Sequence, residues 1–208
     1  MRYRDRVEAG KRLAKELLGV GDGDSVALGL PRGGVPVAAE VAAALAIPLD
    51  VVVVRKLGAP FQPELGIGAI GEEGVRVVNR ELVARLGVTE ETLDRITSQE
   101  EQELARRVST YRGERDPLVL SGLTAIVIDD GLATGYTARA AIEVARRRQA
   151  GRVVLAVPVA APSAVVELST VADEVVCPEQ PRFLGAVGQW YEDFAQTSDE
   201  EVIGLLEG

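Results

Sequence analysis

Residues 124–148 read TAIVIDDGLATGYTARAAIEVARRR, and the fold turns on this stretch. Residues 124–128 are apolar or β-branched at consecutive positions, the pattern of a short strand buried on both faces of a parallel sheet. Residues 136–148 carry a helical pattern. Between strand and helix stand two adjacent carboxylates, Asp129 and Asp130, followed by a glycine-punctuated loop. Neighbouring carboxylates at a buried edge repel each other unless a cation or hydroxyl donors compensate, so the pair reads as functional.

Moving outward, the same strand pattern recurs at 25–30, 49–54 and 152–157, with a further strand at 173–177. Helical segments at 36–45 and 162–170 lie between them. Repeated strand-then-helix order implies right-handed crossovers and an α/β fold: an open, mostly parallel sheet with helices on both faces. Ligands of such sheets bind beyond the carboxyl ends of the strands. Two regions break the alternation. Residues 57–79 are glycine-rich and read as a mobile loop leading into a short hairpin, and residues 80–115 as a charged helical excursion. No internal repeat or low-complexity tract is present, and 208 residues with 47% hydrophobic composition suit one domain spanning 1–208.

Composition narrows the chemistry. With no histidine and a single cysteine, Cys177, imidazole bases, His-containing zinc sites and an internal disulfide are excluded. Catalysis must use carboxylates, Lys, Arg, hydroxyls, backbone amides or an oxygen-bound cation. A net charge of -9 argues against general binding to nucleic acid or anionic membranes. The N-terminal MRYRDRVEAGKRLAKELL is amphipathic without the apolar centre of a signal peptide, so a cytoplasmic protein is expected. Only three of the 23 cationic side chains are lysines, and Lys56 is the one outside this N-terminal segment.

The strand ends concentrate the candidate residues. After the first strand, GLPRGG sets Arg32, Gly33 and Gly34 in a turn entering a helix, where amides and the helix dipole favour an anion. After the second, RKLGAP delivers Arg55 and Lys56 to the same sheet edge. After the third come Asp129, Asp130 and a second anion-friendly turn. A Gly-Gly turn is equally well a plain connector, and Arg55 with Lys56 equally a polar strand end. Residues 131–137 lack the Gly-Lys-Ser/Thr ending of a nucleotide P-loop. GIGAIG at 66–71 matches a dinucleotide pattern without the strand before it or the helix after it.

Residues 126–137, IVIDDGLATGYT, resemble the phosphoribosyl pyrophosphate (PRPP) binding motif of type I phosphoribosyltransferases, and GLPRGG resembles that superfamily's pyrophosphate loop, especially in xanthine-guanine enzymes. RKLGAP and the C-terminal GQWYEDF bring the chain near a group of phosphoribosyltransferases of unassigned acceptor. The resemblance implies the type I fold with a small hood at 181–194. It implies that Asp129 and Asp130 accept hydrogen bonds from the ribose hydroxyls, directly or through Mg2+, and that Ala133, Thr134, Gly135, Tyr136 and Thr137 wrap the 5′-phosphate. Arg32, Gly33 and Gly34 would hold the pyrophosphate in a turn that often contains a non-proline cis peptide, with Arg55 and Lys56 approaching it and the 57–79 loop closing over the substrate. Catalysis would rest on Asp129, Asp130, Arg32 and Lys56, and Trp190 or Tyr191 would stack on a planar acceptor base. Departures are Ala133, where many members carry a hydroxyl, and the unusually small Gly131.

The expected function is therefore Mg2+-dependent transfer of ribose 5-phosphate from PRPP to a nitrogenous base, by a homodimer as in relatives. A PRPP- or nucleotide-sensing regulator on the same fold is the alternative. Retention of Arg32 and Lys56 favours the enzyme, because a sensor has no leaving group to stabilise. A phosphate-ester hydrolase with Asp129 as nucleophile fits poorly, since the pair precedes a cradle loop.

Overall fold

Two adjacent strands at the middle of the sheet set the architecture. In a computed structural model describing residues 2–20 and 24–208, β1 (Ser25–Gly29) runs parallel to β6 (Thr124–Ile128), with Ala27 beside Ile126 and Gly29 beside Ile128. From β1 the chain steps outward to β2 (Leu49–Val51). From β6 it steps the opposite way to β7 (Arg152–Ala156) and β8 (Glu174–Val176), giving the parallel order β2-β1-β6-β7-β8. The strand order thus reverses between β1 and β6, the place where a doubly wound sheet opens a crevice at its carboxyl edge.

Side-chain alternation explains the layers, since successive residues of a strand point to opposite faces. Ala27, Ile126, Ile128, Val154 and Ala156 face α1 (Arg6–Glu16) and α2 (Gly34–Leu45), meeting Leu13, Leu17, Val37 and Val41. Val26, Leu28, Ala125, Val127, Val153 and Leu155 face α5 (Tyr136–Arg147) and α6 (Pro162–Leu168). The β-branched run expected over 49–54 does not stay in one sheet. Val52 still donates to Gly29 O (3.2 Å), but Val53 donates to the Glu72 carboxylate, and the chain crosses into a second sheet.

In that sheet the hairpin expected within 57–79 extends over the part read as a mobile loop. The stretch lies mostly in antiparallel strands β3 (Val54–Ala59), β4 (Gln62–Gly71) and β5 (Val75–Val78), joined by a hairpin tip at Pro60 and Phe61 and a turn at 72–74. Its glycines are packing residues. A Cβ at Gly68 would lie 2.2 Å from Val77 O, and one at Gly71 2.8 Å from Val144 Cγ2, so Gly71 lets α5 settle on β4. GIGAIG is strand interior within β4, and not part of a loop.

The helical excursion is two helices, α3 (Arg80–Arg85) and α4 (Glu90–Arg112). Gly87, at φ +64°, ends the first turn region, and Thr89 caps α4 by accepting from Thr92 N (3.2 Å). Rather than standing in solvent, α4 packs Leu93, Leu104 and Tyr111 onto Leu57, Ile67 and Ile70 of the second sheet and Val202 of α7 (Asp199–Glu207). Arg112, Glu72 and Arg148, all nearly buried, tie α4, the β4–β5 turn and the end of α5 together, with Glu72 Oε2 accepting from Arg112 (2.6 Å) and Arg148 (2.7 Å). Among the described residues no helix is long and apolar enough to cross a membrane.

Candidate functional site

The turns after β1 and β6 are in direct contact. An added Cβ at Gly33 would lie 2.1 Å from Asp130 Oδ2, and one at Gly34 2.6 Å from Ile128 O and 2.9 Å from Asp129 Cα. Gly33 has ordinary helical dihedrals (φ −63°, ψ −30°), so glycine is required there by this approach and not by the backbone conformation. The Pro31–Arg32 peptide is cis. Arg32 is half-buried, with Nη1 3.8 Å from Asp199 Oδ1, and Asp199 also accepts from the Tyr111 hydroxyl (2.7 Å).

The two aspartates have different surroundings. Asp129 Oδ1 accepts from the backbone amide of Asp130 (2.9 Å), and among the described residues no cationic side chain pairs with it. Burial and then the neighbouring Asp130 charge push its carboxyl well above the usual carboxylate range. Burial also raises Asp130, but Arg6 opposes it: Nε and Nη2 sit 2.9 and 2.8 Å from Oδ2. Beyond the pair, Gly131 is small for a visible reason, since a Cβ there would lie 2.5 Å from Val187 Cγ1.

The following loop opens α5. Ala133 and Thr134 are exposed, Gly135 takes a left-handed conformation (φ +78°), and no side chain caps the helix start. The first-turn amides of such a helix lack intrahelical partners and face outward with the positive end of the dipole, suiting an anion. Thr137 lies in this first turn, half-buried. The Tyr136 side chain turns away: its hydroxyl accepts from Asn79 Nδ2 (2.5 Å) and its ring lies against Gly66.

Arg55 and Lys56 were expected together at the strand edge. They are instead neighbours within β3 and so take opposite faces. Arg55 pairs with Glu100 of α4 (2.7 Å), while the Lys56 stem runs beside Gly66, near Tyr136, and its Nζ donates to Glu64 O (3.1 Å). Neither contacts the aspartate pair. The hood splits likewise. Tyr191 is buried, its hydroxyl donating to Asp130 O (2.6 Å) and its ring packed by Tyr3 (5.6 Å) and Phe194 (5.0 Å), so it walls the acidic turn and has no free face for a base. Trp190 is half-buried and lines a recess of ≈ 310 Å³ with Arg2, Phe183 and Gln189. Sequence reading missed Arg6 and Asp199, whereas Phe194 lay within the expected hood. No local signal marks the first two, because they meet the site only through folding, Arg6 from 124 positions away. Cys177 is half-buried, and burial pushes its thiol up to about 12, so it is no nucleophile at neutral pH.

A parallel sheet whose order reverses between two glycine turns, one of them carrying an acidic pair, is the α/β architecture of the type I phosphoribosyltransferase class. The family model of the phosphoribosyl transferase domain matches residues 3–193, and the chain belongs to that family. It is 50% identical over 205 residues to a Mycobacterium tuberculosis protein that carries the provisional name phosphoribosyl transferase; the match covers 99% of this chain and 46% of the relative, so the chain spans about half the length of the curated relatives it matches. A Thermus thermophilus protein of known crystal structure is 43% identical with a TM-score of 0.83, covering 99% of this chain and 98% of the other. An Aquifex aeolicus structure shares the fold at 13% identity and a TM-score of 0.53, over 88% and 78% of the two chains.

Proposed function

We propose that the domain transfers ribose 5-phosphate from PRPP to a nitrogenous base, releasing pyrophosphate, with Mg2+ as cofactor. The observation that carries this reading is the contact between the Arg32–Gly34 turn and the Asp129–Asp130 pair, beside the open N-terminus of α5. One ligand bearing a 5′-phosphate, a vicinal diol and a pyrophosphate matches these three elements: amides of 133–137, the two carboxylates, and the Arg32 turn. Displacement of pyrophosphate develops positive character on the ribose ring and negative charge on the leaving group. Arg32 and the turn amides would stabilise that growing charge more in the transition state than in the ground state. Lys56, on β3 near Tyr136, is the second cation for the same charge, and closure of the Pro60–Phe61 hairpin tip excludes water.

The site suits Mg2+. Among the described residues no group of three or more His, Cys, Asp or Glu side chains forms a self-contained metal cage. Mg2+ needs none, being content with one or two carboxylates, water and substrate oxygens, and Asp129 and Asp130 supply hard oxygens without imidazole or thiolate. When bound there, the ion neutralises part of the pyrophosphate charge. The acceptor would lie toward Trp190, which lines the recess shared with Arg2, Phe183 and Gln189.

The test is to incubate the chain with PRPP, Mg2+ and a panel of purines and pyrimidines and to record pyrophosphate release, with PRPP affinity measured by calorimetry. Turnover with one acceptor is expected. Binding without turnover on any acceptor would transfer support to the sensor reading, and unchanged PRPP affinity in an Asp129→Asn, Asp130→Asn double variant would refute the assignment of the ribose grip.

A further inference from the structure

Arg6, on the first turn of α1, reaches the acidic turn and makes four contacts there. Nε and Nη2 both engage Asp130 Oδ2 (2.9 and 2.8 Å), Nη1 donates to Ala195 O (2.7 Å), and the guanidinium carbon lies 4.0 Å from the centre of the Phe194 ring. Both partners are nearly enclosed, with side-chain exposures of 12% for Arg6 and 14% for Asp130. This is a dedicated mount, unlike the exposed ion pairs elsewhere on the surface, and a planar guanidinium stacked on an aromatic ring holds its direction well.

The atoms used matter more than the pairing. Both nitrogens take Oδ2, and Asp130 Oδ1 accepts from no other residue among those described. Asp129 is arranged in parallel: Oδ1 is taken by the Asp130 amide, and Oδ2 has no partner among the described residues. The pair therefore offers one open acceptor oxygen per aspartate, the number a vicinal diol needs. Arg6 also cancels one of two adjacent negative charges that would otherwise face a ligand rich in phosphate.

We infer that Arg6 is a positioning residue for the ribose grip, holding the Asp130 carboxylate so that a single oxygen faces the diol and lowering the charge the polyanionic donor meets. The inference rests on the proposed use of Asp130 for PRPP. It places the N-terminal helix within the working site, acting through Asp130 and not on the reacting atoms.

The experiment is calorimetric titration of PRPP with Mg2+ into the full chain and into Arg6→Gln, Arg6→Lys, Asp130→Asn and the two combinations with Asp130→Asn, with Tm recorded for each. Loss of a hydrogen bond between charged groups predicts that Arg6→Gln weakens PRPP by about tenfold. Arg6→Lys, which keeps the charge without the fork, should recover part of the loss. Both effects should vanish in the Asp130→Asn background, where the partner carboxylate is gone. Should Arg6→Gln fail to fold, Arg6→Lys carries the same comparison. Wild-type affinity in the Arg6 variants, or an equal loss with and without Asp130, overturns the inference, the second result marking Arg6 as a fold contact. Absence of PRPP binding by the wild-type chain overturns the ribose-grip reading itself, a result that needs no variant and is thereby distinguishable.

Discussion

Asp129 and Asp130 share a turn yet differ in what neutralises them: a guanidinium rests on Asp130, whereas Asp129 has only a backbone amide. The difference has a measurable consequence for stability. A buried carboxyl whose folded-state pKa is raised above its unfolded value contributes stability that is full below the unfolded pKa and is lost as pH rises through the folded pKa. At neutral pH and without Mg2+, Asp129 is therefore a liability to the fold. Asp129→Asn should raise Tm at pH 7 in metal-free buffer, with the gain shrinking toward acid pH, while PRPP binding weakens. Thermal melts at pH 4 and pH 7 check this; a lower Tm at both would mean the carboxylate is compensated in the folded chain. At the same scale, the glycines of the Arg32 turn are explained by contact. Gly33 gives way to Asp130 and Gly34 to the backbone of Ile128 and Asp129, so the glycine turn and the acidic pair are two halves of one surface.

Between elements, the second sheet is held by α4 on one side and α5 on the other, and a charge cluster closes its lower end. Glu72 accepts from both Arg112 and Arg148, whose side chains are only 7% and 8% exposed. Removing one partner of a buried pair leaves uncompensated charge, a larger effect than loss of the pairing itself. Glu72→Gln should destabilise the protein by about 3 kcal/mol, near the low end for such changes because Asp50 and Glu73 remain close to the arginines. Urea unfolding followed by circular dichroism measures it, and a change below about 0.5 kcal/mol would show the cluster to be a surface-like network. Elements also account for the separation of Arg55 from Lys56. Adjacent cations in sequence look like a pair, but once their segment is a strand the pleat sends one to α4 and the other toward α5.

At the level of the whole molecule, the site is assembled from chain segments remote in sequence: α1, the turns after β1 and β6, and residues of the 181–194 hood all meet at one end of the sheet. Ligand binding that bridges these segments stabilises the folded state by mass action. PRPP at about 100 times its Kd should add about 2.7 kcal/mol. For a domain of this size that corresponds to a Tm rise of about 5–10 °C, read by scanning calorimetry with and without Mg2+. An unmoved Tm at saturating PRPP would contradict binding to the folded site. Much of this was legible beforehand. The parallel sheet, its helices, the IVIDDGLATGYT turn and the GLPRGG turn all follow from local patterns, because strand burial, helix spacing and glycine-lined anion turns are written in neighbouring residues. What only the tertiary structure decided are relations across the chain: the strand order that puts β1 beside β6, the second antiparallel sheet where a loop and a short hairpin were expected, the enclosure of Tyr191, and the placement of Arg6 on Asp130. Such contacts join residues whose separation in sequence carries no periodic or compositional mark, and they exist only once packing has brought the elements together.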